Sequence, residues 1–505
     1  MATPKVLGIE TEYGIVARGV DMTAMMASSL LVNAYSDEGL GLRAWDFADE
    51  TPSRDQRDGW HPERDYPEVE VLMANSILTN GSRYYVDHAH PEYSTPECRT
   101  PSEALAFDLA GEEIIRRSMR RANERMGDGL ELIAHKNNSD GKGNSYGCHE
   151  NYLVARETPF GSLARAVSSH FVSRQVFCGA GKVGVENQRE GERWVPYQIS
   201  QRADFFEEEV GLETTVRRPI VNTRDEPHCD PARFRRLHVI VGDANMSQFS
   251  TWLKLGSTAL LLGAVEDGCF PESLFVVDPV REIRQVSHDP DLDHAVLCED
   301  GVRRSAIELQ WAIREVVERW LRGASEDPTG GEAESIMRNW ADVLTGLEMD
   351  PSSVADRVDW VAKRRLVDAM RHRDGLASDH VRLRAVDLQY HDMRMDKCLA
   401  TRVGLRTIVD GDAVDAAVSS PPRSTRAWFR GECIRRWPES VVSANWDGIV
   451  FDVGGPSLMR IPMMDPLKGT EQLMSTLMAE ASSVGDLLRR LGVDAVEEVH
   501  ADPGW

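Results

Sequence analysis

Between Gly81 and Glu97 the chain reads Gly-Ser-Arg-Tyr-Tyr-Val-Asp-His-Ala-His-Pro-Glu-Tyr-Ser-Thr-Pro-Glu. From Arg83 to His88 large and polar residues alternate, as in a strand. Residues two apart on a strand share a face, so Arg83, Tyr85 and Asp87 present a cation, a phenol oxygen and a carboxylate together. Pro91 interrupts, and Glu92 opens a second short extended run carrying another carboxylate. Such a set is costly inside an apolar core but suits the surroundings of a metal-bound phosphate. The competing reading is a polar edge strand with solvated charges. Either way, a fold that takes in this stretch must leave one polar face of a sheet open.

The N-terminal run repeats the theme. Lys5 to Ala17 (Lys-Val-Leu-Gly-Ile-Glu-Thr-Glu-Tyr-Gly-Ile-Val-Ala) reads as a first strand, with Glu10 and Glu12 on one face and Ile9, Thr11 and Tyr13 on the other. Two like charges on one half-buried face repel unless a cation sits between them. Oxygen-only ligands suit Mg²⁺ or Mn²⁺ rather than zinc.

Composition narrows the class. The chain has 505 residues, 58 Lys and Arg against 82 Asp and Glu, and a net charge of −24. That balance argues against a general nucleic-acid surface or an anionic membrane surface. No apolar run reaches the roughly 18 residues needed to span a bilayer, and Met-Ala-Thr-Pro-Lys-Val lacks signal-peptide features. The eight cysteines show no Cys-x-x-Cys spacing, as expected for reduced thiols in a cytoplasm. The length predicts one large domain plus a smaller one, or two or three domains.

Taken in order, Asp21 to Tyr35 predicts a helix. From Ser36 to Ala74 the periodicity collapses into Asp, Glu, Arg, Gly and Pro, which predicts a mobile lid in which Trp45 and Trp60 dock from time to time. Ser102 to Met126 predicts a helix capped by Ser102, with Ala104, Leu105, Leu109, Ile114, Ile115 and Met119 on its apolar side. Asp128 to Ala134 predicts a strand. The Gly- and Asn-rich turn from Lys136 to Gly147 is not a Walker A loop, yet its amides are candidates for cradling phosphate oxygens. It leads into a strand on which His149 and Asn151 share a face. Arginines crowd residues 197 to 245 (Arg202, Arg217, Arg218, Arg224, Arg233, Arg235, Arg236). Arginine captures phosphate or carboxylate bidentately, so an anionic ligand is expected here, with salt bridges accounting for some of the cluster. His238 is the polar tooth of an otherwise apolar strand. Ser250–Val265, Arg304–Arg322, Glu334–Glu348 and Ala355–His372 predict scaffold helices. Ser419 to Ser424 predicts a linker, and Thr425 to Trp505 a small α+β unit with a strand at Ala444–Asp452.

The motifs Gly8-Ile-Glu-Thr-Glu-Tyr-Gly14, Arg83-Tyr-Tyr-Val-Asp-His-Ala-His-Pro-Glu-Tyr93, Gly147-Cys-His-Glu-Asn-Tyr152, Asn222-Thr-Arg-Asp-Glu-Pro-His228, Arg235-Arg-Leu-His238 and Trp446-Asp447 together resemble the Pup ligase/Pup deamidase family. That family belongs to the glutamine-synthetase-like carboxylate–amine ligases, and the resemblance covers essentially the whole chain. It implies an α+β fold: a large curved, mainly antiparallel β-sheet cradle backed by helices over 1–420, with 36–74 as an insertion, plus a small C-terminal α+β domain over 425–505. It implies that Glu10, Tyr85 and Glu92 hold Mg²⁺ and that Asp87 is the catalytic carboxylate. Arg83, Thr95 and Trp446 would contact ATP (or ADP plus phosphate), with His149, Arg202, Arg217, Arg224 and His238 around its phosphates. The implied partners are Pup and pupylated proteins, with neither nucleic acid nor membrane.

Within the family, the 36–74 insertion and the Val-Asp-His-Ala-His-Pro-Glu spacing match the amide-hydrolysing branch. That branch implies conversion of the C-terminal Gln of Pup to Glu and cleavage of the Pup–lysine isopeptide bond, with ATP required but not turned over stoichiometrically. The alternative is the ligating branch, in which the same groups form a γ-glutamyl phosphate and join it to a lysine. Asp87 would act as nucleophile or as general base.

Overall fold

Strand alternation and a few buried helices account for the architecture. The computed structural model describes residues 2–36, 43–47, 50, 54–57, 74–186, 194–492 and 495–499. Its large sheet contains β1 (Leu7–Glu12), β2 (Arg43–Trp45), β3 (Asn75–Ile77), β4 (Arg83–Asp87), β5 (His90–Ser94), β6 (Cys148–Ala155), β7 (Phe234–Val239), β8 (Val441–Ala444), β9 (Gly448–Phe451), β10 (Leu458–Pro462) and β11 (Glu497–Val499). Their spatial order is β7-β6-β1-β5-β4-β3-β2-β8-β9-β10-β11. Neighbours are antiparallel except β2 and β8, which run parallel. This is the mainly antiparallel α+β cradle expected from the sequence.

One face of the sheet is apolar. Leu7, Ile9, Tyr84, Val86, Tyr93, Tyr152 and Val154 join a continuous core with the helices α1 (Ala24–Ser36), α2 (Pro101–Met126), α3 (Phe160–Cys178), α4 (Gln248–Glu266), α5 (Ala306–Leu321) and α6 (Ala333–Met349). Each large side chain so buried contributes about 1.5–3 kcal/mol. The helix α2 presses directly on β5: a Cβ at Gly111 would lie 2.3 Å from the Tyr93 ring. That contact fixes the strand carrying Glu92. A second core gathers Trp45, Ile77, Phe429, Cys433, Ile434, Ala444, Ile449 and Phe451 where the C-terminal strands continue the sheet. Glu97 ties the two regions, bonding Arg426 at 2.6 Å and Arg430 at 2.5 Å. No helix of the described residues is long and apolar enough to cross a membrane.

Several sequence expectations change in detail. The run Lys5–Ala17 is two strands, β1 and Gly14–Arg18. It breaks at Tyr13 because the second half leaves the large sheet to pair with Glu131–His135. Thr100, not Ser102, caps α2: its Oγ1 accepts from the Glu103 amide at 3.0 Å and Pro101 takes the first helical position, where a missing N–H costs nothing. The run Ala444–Asp452 is a hairpin, β8 and β9, turning at Asn445–Asp447 where the Asn445 side chain accepts from the Asp447 amide. Within the expected lid, residues 43–45 form β2 with Trp45 buried at 2% exposure, and Asp55 is buried in a bridge to Arg224. Trp60, with residues 37–42, 48–49, 51–53 and 58–73, lies outside the described residues. The Gly141, Lys142 and Asn144 amides already donate to Ser139 and Asp140 side chains, so these three are not open to a phosphate.

Candidate active site

The polar face is assembled by strand register. The pairing sets Glu12 opposite Glu92 and Glu92 opposite Tyr85, so a single row crosses β1, β5 and β4. Asp87 stands two residues beyond Tyr85 and closes the β4–β5 hairpin opposite His90. Carboxylate oxygens of Glu12, Asp87 and Glu92 consequently lie within 4.8 Å of one another. On the other side of β1, Glu10 pairs with His149, and His238 stands opposite Asn151. Glu10, His149 and His238 form a second set of ligand atoms within 4.8 Å. The two sets are adjacent, since Glu10 and Glu12 share the face of β1.

Surroundings divide the carboxylates by role. Glu92 is 2% exposed, whereas the Asp87 side chain is 34% exposed. Asp87 is therefore the carboxylate an incoming substrate can reach. Burial, followed by the negative charges of Asp87, Glu12 and Glu10, pushes the Glu92 carboxyl well above its usual range, while the Tyr85 hydrogen bond works against the rise. Burial would also raise Glu12, but His90, His149 and the Gly147 amide hold it at about 2. The Gly147 N–H donates to Glu12 Oε1 at 2.9 Å, and a Cβ there would lie 2.2 Å from His149 Nε2. Glycine is what lets the backbone approach this close. For Glu10 too burial opposes ionisation, yet the His149 hydrogen bond and the Arg236 guanidinium hold it well below its usual range.

Asn151 fixes the imidazole of His238. Its Nδ2 donates to Glu10 Oε1 at 2.8 Å, so its Oδ1 is the acceptor for Arg236 at 3.0 Å and His238 Nδ1 at 2.9 Å. The His238 proton therefore sits on Nδ1, and Nε2 keeps its lone pair, the arrangement found around metal-ligating histidines. Burial pushes His238 well below its ordinary value, which keeps it neutral. Crowded carboxylates and an oriented neutral imidazole form a donor set that fits divalent cations.

Beside Glu10 opens a cleft lined by Thr95, Asn151, His228, Arg236 and Trp446. Thr95 Oγ1 accepts from the Ile9 amide at 2.9 Å. The Trp446 ring stands edge-on to Trp45 with centroids 5.1 Å apart, and the Arg430 guanidinium lies 5.2 Å over it. The guanidinium of Arg83 lies between the Trp45 and Tyr85 rings at 4.0 and 3.9 Å, donating through Nε to Asn75 at 3.0 Å.

The arginines expected around phosphates do not behave alike. Arg202 is 1% exposed; burial and then Arg218 push it down to about 10, and its Nε has no hydrogen-bond partner among the described residues. Arg224 Nε is likewise buried without an acceptor among the described residues. Orphaned guanidinium donors of this kind fit an anionic group. Arg217 stands exposed on a turn at φ 47°. The set implied by the resemblance leaves out Glu12, Asn151, His90 and Arg236, although strand spacing already put Glu12 beside a cation with Glu10, Asn151 on the face of His149 and Arg236 in the arginine cluster. Arg236 lies 3.5 Å from Glu10 and lines the cleft. Its i, i+2 spacing to His238 on β7 was the available signal.

Residues 5–450 match the family model described as Pup-ligase protein. The chain is 45% identical over 506 residues to a depupylase of Acidothermus cellulolyticus, covering 96% of this chain and 99% of that protein. It is 42% identical over 503 residues to the Pup deamidase/depupylase of Mycolicibacterium smegmatis, with the same coverages. Among solved structures it resembles the Pup ligase PafA. In the complex with Pup, the TM-score is 0.78 at 30% identity, over 97% of this chain and 94% of that one. In the complex with ADP, the TM-score is 0.73 at 32% identity, over 86% and 98%. With β-cradle, carboxylate row and near-full-length likeness all in agreement, this chain belongs to the Pup ligase family.

Proposed function

We propose that the protein is a Pup deamidase and depupylase: it hydrolyses the side-chain amide of a C-terminal glutamine on Pup and the isopeptide bond between Pup and a protein lysine. The observation that carries this reading is the accessible carboxylate of Asp87 beside the buried Glu12 and Glu92, in a chain 42–45% identical over nearly its whole length to a depupylase and a Pup deamidase/depupylase. An amide is a poor electrophile, so the site must provide a nucleophile and neutralise an oxyanion. Asp87 meets the first need, either by attacking the amide carbon or by taking a proton from the attacking water. Both routes require it ionised, aimed at the amide carbon in the first and at the attacking water in the second.

Glu10, Glu12 and Glu92, with Tyr85 hydrogen-bonded to Glu92, are the residues that would hold Mg²⁺. His149 and His238 stand beside Glu10. When bound, the cation supplies Lewis-acid stabilisation of the developing negative charge. The cleft beside Glu10, walled by Trp446 and bordered by Thr95 and Arg236, suits a nucleotide, as in the ADP-bound ligase. Arg83 keeps Tyr85 and Trp45 in place at its edge, while Arg202 and Arg224 supply donors for phosphate oxygens; Arg217, exposed, would reach them only from the rim.

The test is incubation of the protein with Pup ending in Gln, ATP and Mg²⁺, read by intact mass. The reading predicts the mass gain of amide-to-acid conversion without matching ATP consumption. Conjugation of Pup ending in Glu to an acceptor protein, with ATP consumed, would overturn it in favour of a ligase.

A further inference from the structure

We propose that His88 is a positioning residue that holds the Asp87 carboxylate in its reactive orientation. The inference rests on the reading of Asp87 given above and extends it to a neighbour outside the carboxylate set.

Two observations meet at this residue. The first is a contact: His88 Nδ1 donates to Asp87 Oδ2 at 2.9 Å. Asp87 is the most exposed member of its cluster, and its side chain lies at the mouth of the site. An exposed carboxylate keeps several rotamers within reach, and each wrong rotamer removes it from the substrate. A charge-assisted hydrogen bond to one oxygen selects among them and leaves the other oxygen for chemistry. The second observation is the backbone. His88 and Ala89 are the turn between β4 and β5, and His88 has φ 51°, a left-handed conformation that favours glycine. A glycine here would make the turn at lower cost. A histidine instead turns its imidazole back onto the residue before it.

The neighbouring histidine acts in parallel. His90 Nδ1 is 3.3 Å from Glu12 Oε2, and its ring lies 4.5 Å from that of Tyr146. The hairpin Asp87-His88-Ala89-His90 thus puts an imidazole beside each of two carboxylates, hydrogen-bonded at Asp87 and in proximity at Glu12.

Two variants and two readouts test the proposal on the full chain with ATP and Mg²⁺ present. His88→Gly keeps or eases the turn and removes the imidazole. His88→Asn tolerates the same φ and restores an N–H donor of shorter reach. On Pup ending in Gln, His88→Gly should lower kcat by about 10- to 100-fold with KM within about twofold, the loss expected of a misaimed group. His88→Asn should recover a substantial part of that loss. Crystal structures of the two variants should show the Asp87 carboxylate turned away in the first and restored in the second. Wild-type kcat in His88→Gly, or an unmoved Asp87 carboxylate, overturns the positioning role. If the wild type leaves Pup-Gln unchanged, the proposed function falls, while the crystallographic comparison still decides the role of His88.

Discussion

Both faces of the large sheet carry buried carboxylates, and they treat them in opposite ways. On the helix side, Glu150 is fully buried and gripped by both terminal nitrogens of Arg174, at 2.9 and 2.5 Å, with the Tyr152 hydroxyl at 2.6 Å. Lys136 lies 2.6 Å from Asp108 and 2.9 Å from Glu112. Burial there is offset by the Arg174 and Lys136 charges, so Glu150 and Glu112 stay ionised, below their ordinary range. On the open side, Glu12, Asp87 and Glu92 face one another, and burial, with the crowding added to it, pushes Glu92 up. One face pairs its carboxylates with Arg174 and Lys136. The other leaves Glu92 against two further carboxylates, which is where the cation of the proposed function would sit, and that is the difference between structural and functional burial of charge.

Four experiments would break or sharpen this contrast. The largest effect is expected at the open face: Asp87→Asn should lower amide hydrolysis by about a thousandfold or more with nucleotide affinity retained, measured by single-turnover kinetics and calorimetry. Full activity in this variant would remove the assignment. On the helix face, Arg174→Met should destabilise the fold by about 3–5 kcal/mol, because it strands the Glu150 charge. Denaturant melts would show this, and Glu92→Gln in the cation-free protein should shift the same melts by less than about 1 kcal/mol. A destabilisation by Glu92→Gln equal to that of Arg174→Met would erase the distinction between the faces.

The third effect concerns Glu97, a satisfied carboxylate at the join with the C-terminal strands. Burial alone would raise it, but Arg430 and Arg426 hold it at about 2 against an ordinary 4.5. A depressed carboxyl stabilises the fold above its unfolded value and loses that contribution as pH falls from 4.5 towards 2, about 3 kcal/mol in all. Glu97→Gln should therefore be less stable at neutral pH and show a flatter acid limb in a plot of Tm against pH. The smallest effect is expected from Mg²⁺, which at a hundred times its Kd should stabilise the protein by about 2.7 kcal/mol. Thermal shifts should show that gain in the wild type and a reduced one in Glu92→Gln.

Much of the site was legible because strand periodicity is strictly two. Arg83, Tyr85 and Asp87 had to share a face once β4 formed, as did Glu10 and Glu12 on β1 and His149 and Asn151 on β6. The helices α2 and α5 declared themselves through their apolar stripes, and α4, buried on every side, and α6 through helical composition, with ends displaced by a few residues where capping chemistry decides, as at Thr100. The insertion after Ser36 was the least legible stretch. Residues 43–45 have no periodicity of their own, and they become a strand only because β3 and β8 flank them.

The sequence by itself determined which side chains share each strand face, the acidity of that face, and the helical back of the sheet. These follow from local spacing and from the cost of burying unpaired charge. Tertiary structure decided the grouping. Register across β1, β5 and β4 placed Glu12, rather than Glu10, with Glu92 and Asp87, and register across β1, β6 and β7 gave Glu10 to the two histidines. Cross-strand neighbours come from segments as far apart as Ala44 and Ser443, and a one-residue slip exchanges the faces. Only the packed sheet fixes that register, because only there do the apolar faces of all these strands meet the same helices.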